Sequence, residues 1–205
     1  MELETIGVKE RILNVAIEEF AQNGYKAAST NVICKKANIS KGLLYHYYNS
    51  KEKIYITVVR HVIDNFKRNI AINIKNSKKK GIDYVEEYFD IKFKFFKENP
   101  LYSKIIVNLV IDNSIEKARE LSSEYQNYNN NLIHDVIKNI DMNPKFNKEK
   151  AFELIIMIGD NLEKKHMKRI DDVNKDSAVE EFRKDHKEML EMVFEGIDKK
   201  EEGFN

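Results

Sequence analysis

At 205 residues the chain is long enough for one or two domains of about 150 residues each and too long for a disulfide-stapled miniprotein. Its residues are 42% hydrophobic and 34% charged, too apolar for a disordered chain and too often interrupted by charge for a membrane span of about 18 apolar residues. The formal net charge of +1 is unevenly spread: residues 26–68 hold nine basic side chains against Glu52 and Asp64, a local +7, which leaves the rest at −6.

A basic segment on an otherwise acidic chain is the pattern of a polyanion-binding surface, because Lys and Arg displace counterions from phosphates. On charge alone, a solvated basic face is the commoner meaning. The start, Met1-Glu2-Leu3-Glu4, is acidic where a signal peptide needs positive charge, and Glu10, Arg11, Glu18 and Glu19 interrupt any apolar run, so a cytoplasmic location is expected. A lone cysteine, Cys34, forms no internal disulfide and cannot supply a thiolate-rich zinc site; it reads as a small buried hydrophobe. Two prolines and seven glycines are too few turn signals for many short strands, which predicts an all-α protein.

Along the chain, Val8, Ile12, Ala16 and Phe20 recur every four residues, with Leu13 and Ile17 alongside, and predict a first helix over 8–21. Asn23-Gly24 supplies a left-handed stop. Ser29 or Thr30 can cap a second helix running to Ala37. In Asn38-Ile39-Ser40, Asn tolerates the left-handed conformation, Ile39 can turn inward, and Ser40 can accept from the first N–H groups of a third helix starting at Lys41. Lys51-Glu52 opens a long fourth helix, 51–75, whose apolar face carries Ile54, Val58 and Val62 with Tyr55, Val59, Ile63 and Phe66. Residues 55–59 taken alone look like a strand, but the longer helical period outweighs them. Further helices are predicted near 82–98, 101–111, 114–140, 147–170 and 176–198, separated by Asn99-Pro100, Asn113-Ser114, Asn143-Pro144 and Asp171-Asp172. The run Ile105 to Ile111 has a strand's composition, but a single strand would lack a partner.

Two short helices joined by a tight turn have helix-turn-helix geometry, in which the second helix enters the DNA major groove. Here that helix is Lys41-Gly42-Leu43-Leu44-Tyr45-His46-Tyr47-Tyr48. Leu44 and Tyr48 should face the core and leave Lys41 and Tyr45 outward, while Gly42 lets the backbone approach DNA closely. Lys51, at the start of the fourth helix, can meet a phosphate together with exposed N–H groups. Leu43 offers no donor and should contact a thymine methyl.

The string from Ile12 through Phe20, Gly24-Tyr25, Thr30, Ile33, Ala37, Ile39-Ser40-Lys41-Gly42, Leu44-Tyr45, Tyr47-Tyr48 and Ser50-Lys51-Glu52 resembles the TetR (tetracycline-repressor) family of transcriptional regulators over about 50 residues. The resemblance implies phosphate contacts from Thr30, Ser40, Tyr45, Tyr47 and Lys51, and base or groove contacts from Lys41, Gly42, Leu43 and His46. Three positions depart from the family pattern: Cys34 stands where Ala is usual, Asn38 where Gly is usual, and Tyr48 where Phe is common. The resemblance also implies a DNA-binding domain, 1–50, fused to a helical ligand-binding and dimerisation domain, 51–205, with helix 51–75 linking the two.

Within that second part, Leu154, Ile155, Ile158 and Leu162 line one face, and Val179, Phe182, His186, Met189, Val193 and Ile197 another. Two such helices could pair with their symmetry mates in a homodimer, or form an internal core. Phe66, Phe89, Phe93, Phe96, Tyr102, Tyr125, Tyr128 and Asn129 are candidates for lining an apolar effector pocket, with ordinary core packing as the alternative. Glu163-x-x-His166 is a single Glu-x-x-His unit where di-iron bundles need two, and no Gly-rich phosphate loop, Cys-x-x-Cys or Gly-x-Ser-x-Gly occurs, so neither metal nor cofactor nor catalysis is expected. The expected protein is a homodimeric repressor of a pseudo-palindromic double-stranded DNA operator, responsive to an unknown small molecule and not membrane-bound. The alternatives are a regulator switched by a protein partner and a helical-bundle enzyme with a vestigial DNA-binding head.

Overall fold

The computed structural model describes the backbone of residues 2–75, 77–112, 114–138, 143–170 and 175–197, and their side chains except those of 2–6, 163–164, 166–170, 175–179 and 196–197. Glu163, His166, Val179 and Ile197, and the separators Asn113 and Asp171-Asp172, therefore lie outside the described residues or side chains. Among the described residues every regular element is a helix: α1 Glu2–Ala27, α2 Thr30–Ala37, α3 Lys41–Tyr48, α4 Lys51–Ile74, α5 Gly81–Glu98, α6 Pro100–Ile111, α7 Glu116–Lys138, α8 Lys148–Ile170 and α9 Lys175–Ile197. The all-α expectation holds, and both strand-like runs, 55–59 and 105–111, are helical. Among the described residues no helix is long and apolar enough to cross a membrane.

The helices group into two compact units. The first comprises residues 1–69 and 95–126, so the expected boundary at 50/51 falls inside it. Ile12, Ala16 and Phe20 of α1 share its core with Ile33, Ala37, Leu44, Val58 and Val62, all without solvent exposure. Gly24 adopts φ +65°, ψ 179°, a left-handed break that most side chains avoid, and turns the last residues of α1 away from the axis. The Tyr55 ring fills the corner beside Phe20 and Tyr25 at centroid distances of 5.1 and 5.2 Å. Helix α6 packs along α1, and the Asn108 amide donates to the Phe20 carbonyl at 3.3 Å. Lys26 pairs with Asp112 at the end of α6, 3.6 Å apart. Between α4 and α7, Glu124 receives Arg60 at 2.6 Å and Lys67 at 2.7 Å. These two cations hold its carboxyl below the usual carboxylate range, Lys67 foremost.

The second unit comprises residues 70–94 and 127–205. Helices α8 and α9 pack against each other, and α5 docks close to α8, where a Cβ built at Gly159 would stand 3.1 Å from the Phe89 ring. The side chain is absent where the ring presses. On α5, Phe89 and Phe93 meet His186 and Phe182 of α9, each pair at a centroid distance of 4.0 Å. Asp90–Arg183 and Glu86–Lys187 pairs flank that contact, at 2.8 and 3.9 Å.

Candidate nucleic-acid interface

The turn between α2 and α3 is built by two short-range devices. Asn38 takes φ 52°, ψ 54° after α2, and the N–H groups of Asn38 and Ile39 return to the Lys35 and Cys34 carbonyls at 3.3 and 3.1 Å. This is a Schellman closure, for which Asn can stand in for Gly. Ser40, extended at φ −74°, then receives the Leu43 N–H on its Oγ at 3.1 Å and starts α3. Ser29 stands at the N-cap of α2, but its side chain makes no capping bond. Its own N–H instead donates to the buried Glu19 carboxylate at 2.8 Å. The Arg11 Nε–H donates to the Ala37 carbonyl at 2.9 Å and ties the end of α2 to α1.

On α3 only Leu44 is fully buried. Lys41, Gly42 and His46 are exposed, and Leu43, Tyr45, Tyr47 and Tyr48 are half-buried. The inward turn of Tyr48 is partial, and burial raises its phenol pKa above the ordinary tyrosine value. Asn38 and Cys34 behave as their family positions require, left-handed and buried respectively.

Several residues that the sequence singled out are brought together. The Thr30 Oγ1 and the Tyr45 hydroxyl lie 3.4 Å apart, so α2 and α3 offer two hydroxyls at one point. The Lys51 ammonium donates to the Lys26 carbonyl at 3.1 Å and sits over the Tyr25 ring, 4.9 Å from its centroid. Ser50 caps α4 by accepting the Lys53 N–H at 3.0 Å. Tyr47 meets His46 edge-on at 5.5 Å. Of the basic segment, Lys26, Lys36, Arg60 and Lys67 are engaged by Asp112, Glu18 and Glu124. Lys35, Lys41 and Lys53 have no ion-pair partner among the described residues. These three lysines stand on α2, α3 and α4 respectively. The supporting groups Glu19, Arg11, Tyr25 and the Lys26 carbonyl escaped the sequence reading. They act across gaps of 10 to 26 residues, and no local spacing marks them.

The candidate pocket residues separate by unit. In the first, Phe66 packs against Phe96 and Tyr125 at 5.4 and 5.2 Å, and Tyr102 hydrogen-bonds His61 Nε2 at 3.0 Å. In the second, Phe89 and Phe93 pack on α9, Tyr88 hydrogen-bonds Asn129, and Tyr128 is half-buried. Lys92 and His186 are buried there too. Burial first, and the Lys92 charge second, push the His186 pKa down to about 4, and its Nε2 has no hydrogen-bond partner among the described residues.

The candidate interface stripes are likewise divided. Ile155, Leu162, Phe182 and His186 are 4% exposed or less and belong to the packing within the chain. Ile158 and Val193 are half-buried. Outward lie Leu154 and Met157 on α8, 46% and 60% exposed, and Met189 and Met192 on α9, 40% and 71% exposed. Of these outward residues, Leu154 and Met189 stand in the sequence stripes, whereas Met157 and Met192 do not, since a period of 3.6 fixes a face only to within a neighbouring position. Among the described residues no group of three or more His, Cys, Asp or Glu is placed to hold a metal ion.

Residues 12–58 match the family model described as bacterial regulatory proteins, tetR family. The chain is 42% identical over 59 residues to the HTH-type transcriptional regulator UidR of Escherichia coli, a stretch that covers 29% of this chain and 30% of that relative. Less than a third of that relative's length is thus matched. It is 28% identical over 153 residues to IcaR of Staphylococcus aureus, a negative transcriptional regulator of the biofilm operon icaADBC, covering 73% of this chain and 79% of IcaR. The crystal structure of the transcriptional regulator FadR from Bacillus subtilis in complex with stearoyl-CoA has the same fold, with a TM-score of 0.70 over 92% of this chain and 99% of that one, at 18% identity. Residues 12–58, which hold the capped pair α2–α3, are thus similar to the tetR family of bacterial regulatory proteins, and the fold is one that its transcriptional regulators share.

Proposed function

We propose that the chain is a cytoplasmic, homodimeric transcriptional repressor that inserts α3 into the major groove of a pseudo-palindromic operator and releases it in response to a small molecule. The observation that carries the reading is the composition of the exposed side of α3. Lys41, Gly42 and His46 face outward at the start and middle of a capped helix, with the Thr30–Tyr45 hydroxyl pair and the Lys51 ammonium flanking it. A short helix so equipped contacts base edges near its N-terminus and phosphates at its borders. Two copies related by a twofold axis would read half-sites about one helical turn, 34–36 Å, or a multiple of it apart.

Dimerisation falls to the outward Leu154 and Met157 of α8 and Met189 and Met192 of α9, since exposed large apolar side chains at helical spacing suit an isologous helix interface. An effector is best accommodated by the second unit's aromatic group around Phe89 and Phe93, which combines apolar walls with the buried polar groups Asn129, Lys92 and His186. The FadR structure with stearoyl-CoA is a precedent for a bound small molecule in this fold.

The test is binding by the full chain to a pool of random duplexes, followed by selection and sequencing. A palindromic consensus is expected. Lys41→Ala should change the base preference at one position per half-site, whereas Lys51→Ala should weaken every duplex alike and flatten the salt dependence. Enrichment of no sequence, with both variants indistinguishable from the parent, would refute the reading.

A further inference from the structure

Lys9 stands on α1, well outside the basic segment, in a stretch whose sequence reads as acidic. It is exposed, and among the described residues no carboxylate pairs with it. Its ammonium lies over the Tyr47 ring, 5.5 Å from the centroid, and Tyr47 in turn meets the exposed His46 edge-on. The three side chains run from the flank of α3 across to α1. Lys36, by contrast, is spent on Glu18 within the same unit.

We infer that Lys9 is a DNA-contact residue contributed by α1, held in place by the Tyr47 ring at the border of the groove helix so that it neutralises one backbone phosphate. The inference rests on the reading of α3 as the groove helix. An aromatic face attracts a cation without neutralising it, so the ammonium keeps its full charge for an anion on its open side. A carboxylate at the same place would cancel it. Tyr47 thereby acquires a positioning role besides its own expected phosphate contact: it seats a cation from another helix beside α3.

Each phosphate neutralised by a lysine releases condensed counterions and adds about 0.9 to the slope of log K against log salt. Fluorescence anisotropy of the full-length protein with a labelled mixed-sequence duplex, titrated between about 50 and 200 mM NaCl, reads this slope directly. Lys9→Gln is expected to lower the slope by about one and to weaken binding at low salt, and Lys9→Arg to retain both. Tyr47→Leu removes no charge, so a slope falling towards that of Lys9→Gln identifies the ring as the seat of the ammonium. A parental slope in Lys9→Gln overturns the inference alone, because a purely structural lysine does not alter counterion release. Absence of salt-dependent binding by the parent protein overturns the groove-helix reading and the inference with it.

Discussion

His186 is the residue whose environment differs most from what its sequence position suggests. A histidine on a helical stripe reads as an interface or surface group, yet the ring is enclosed by Phe89 and Phe182, with Lys92 as a charged neighbour. Its pKa falls from 6.5 to about 4, so between those values the unfolded chain binds a proton that the folded chain refuses. Stability present above about pH 6.5 is therefore lost as the pH falls towards 4, by up to about 3 kcal/mol for a shift of this size. Urea titrations across that range should show the decline, and His186→Leu should flatten it. An equal decline in the variant would refute the assignment. Cys34 and Asn38 were legible because each role is local, a small buried side chain and a left-handed cap. Glu19 was not, because its partner is the N–H of a residue ten positions on.

Among the elements, α3 is the one most dependent on its ends. Eight residues are too few for a helix to persist on propensity, so packing of Leu44 and the Ser40 cap must hold it. Ser40→Ala removes the acceptor for the Leu43 N–H and should destabilise the fold by about 1 kcal/mol, measurable by chemical denaturation. No change would mean that the bond is absent in solution. The same scale explains what sequence could settle about the helices. The period of apolar residues in α4 outweighed its β-branched composition, because a helix long enough to show several turns declares its face, and α6 was legible because a single strand would have had no partner. The face of α8 and of α9 was harder to fix. Ile155 and Leu154 are neighbours in sequence, and only their contacts decide which of them points inward.

For the whole molecule, the compact units do not follow the chain's linear order. Residues 95–126 join the helix-turn-helix head in the first unit, while 70–94 belong with α8 and α9 in the second. Interleaving of this kind rests on long-range contacts that no local pattern encodes. The proposed homodimer is tested at the same scale. A Met157→Glu, Met192→Glu double variant places charge on two exposed apolar positions and should shift the protein from dimer to monomer by analytical ultracentrifugation, with little loss of monomer stability because neither side chain is in the core. Operator affinity should fall with it, as each half-site would then be bound alone. A variant that remains dimeric would place the twofold contact elsewhere.

Lys26 has two attachments that pull on different things: its carbonyl accepts the Lys51 ammonium, and its own ammonium reaches Asp112 at the tip of α6. A phosphate that draws Lys51 towards itself competes with the backbone oxygen, leaving the far end of the first helix less firmly tethered. By reciprocity, whatever displaces α6 tugs the same joint and alters how readily Lys51 departs. If Lys51 meets a phosphate as proposed, Lys26 would join that contact to the end of α6.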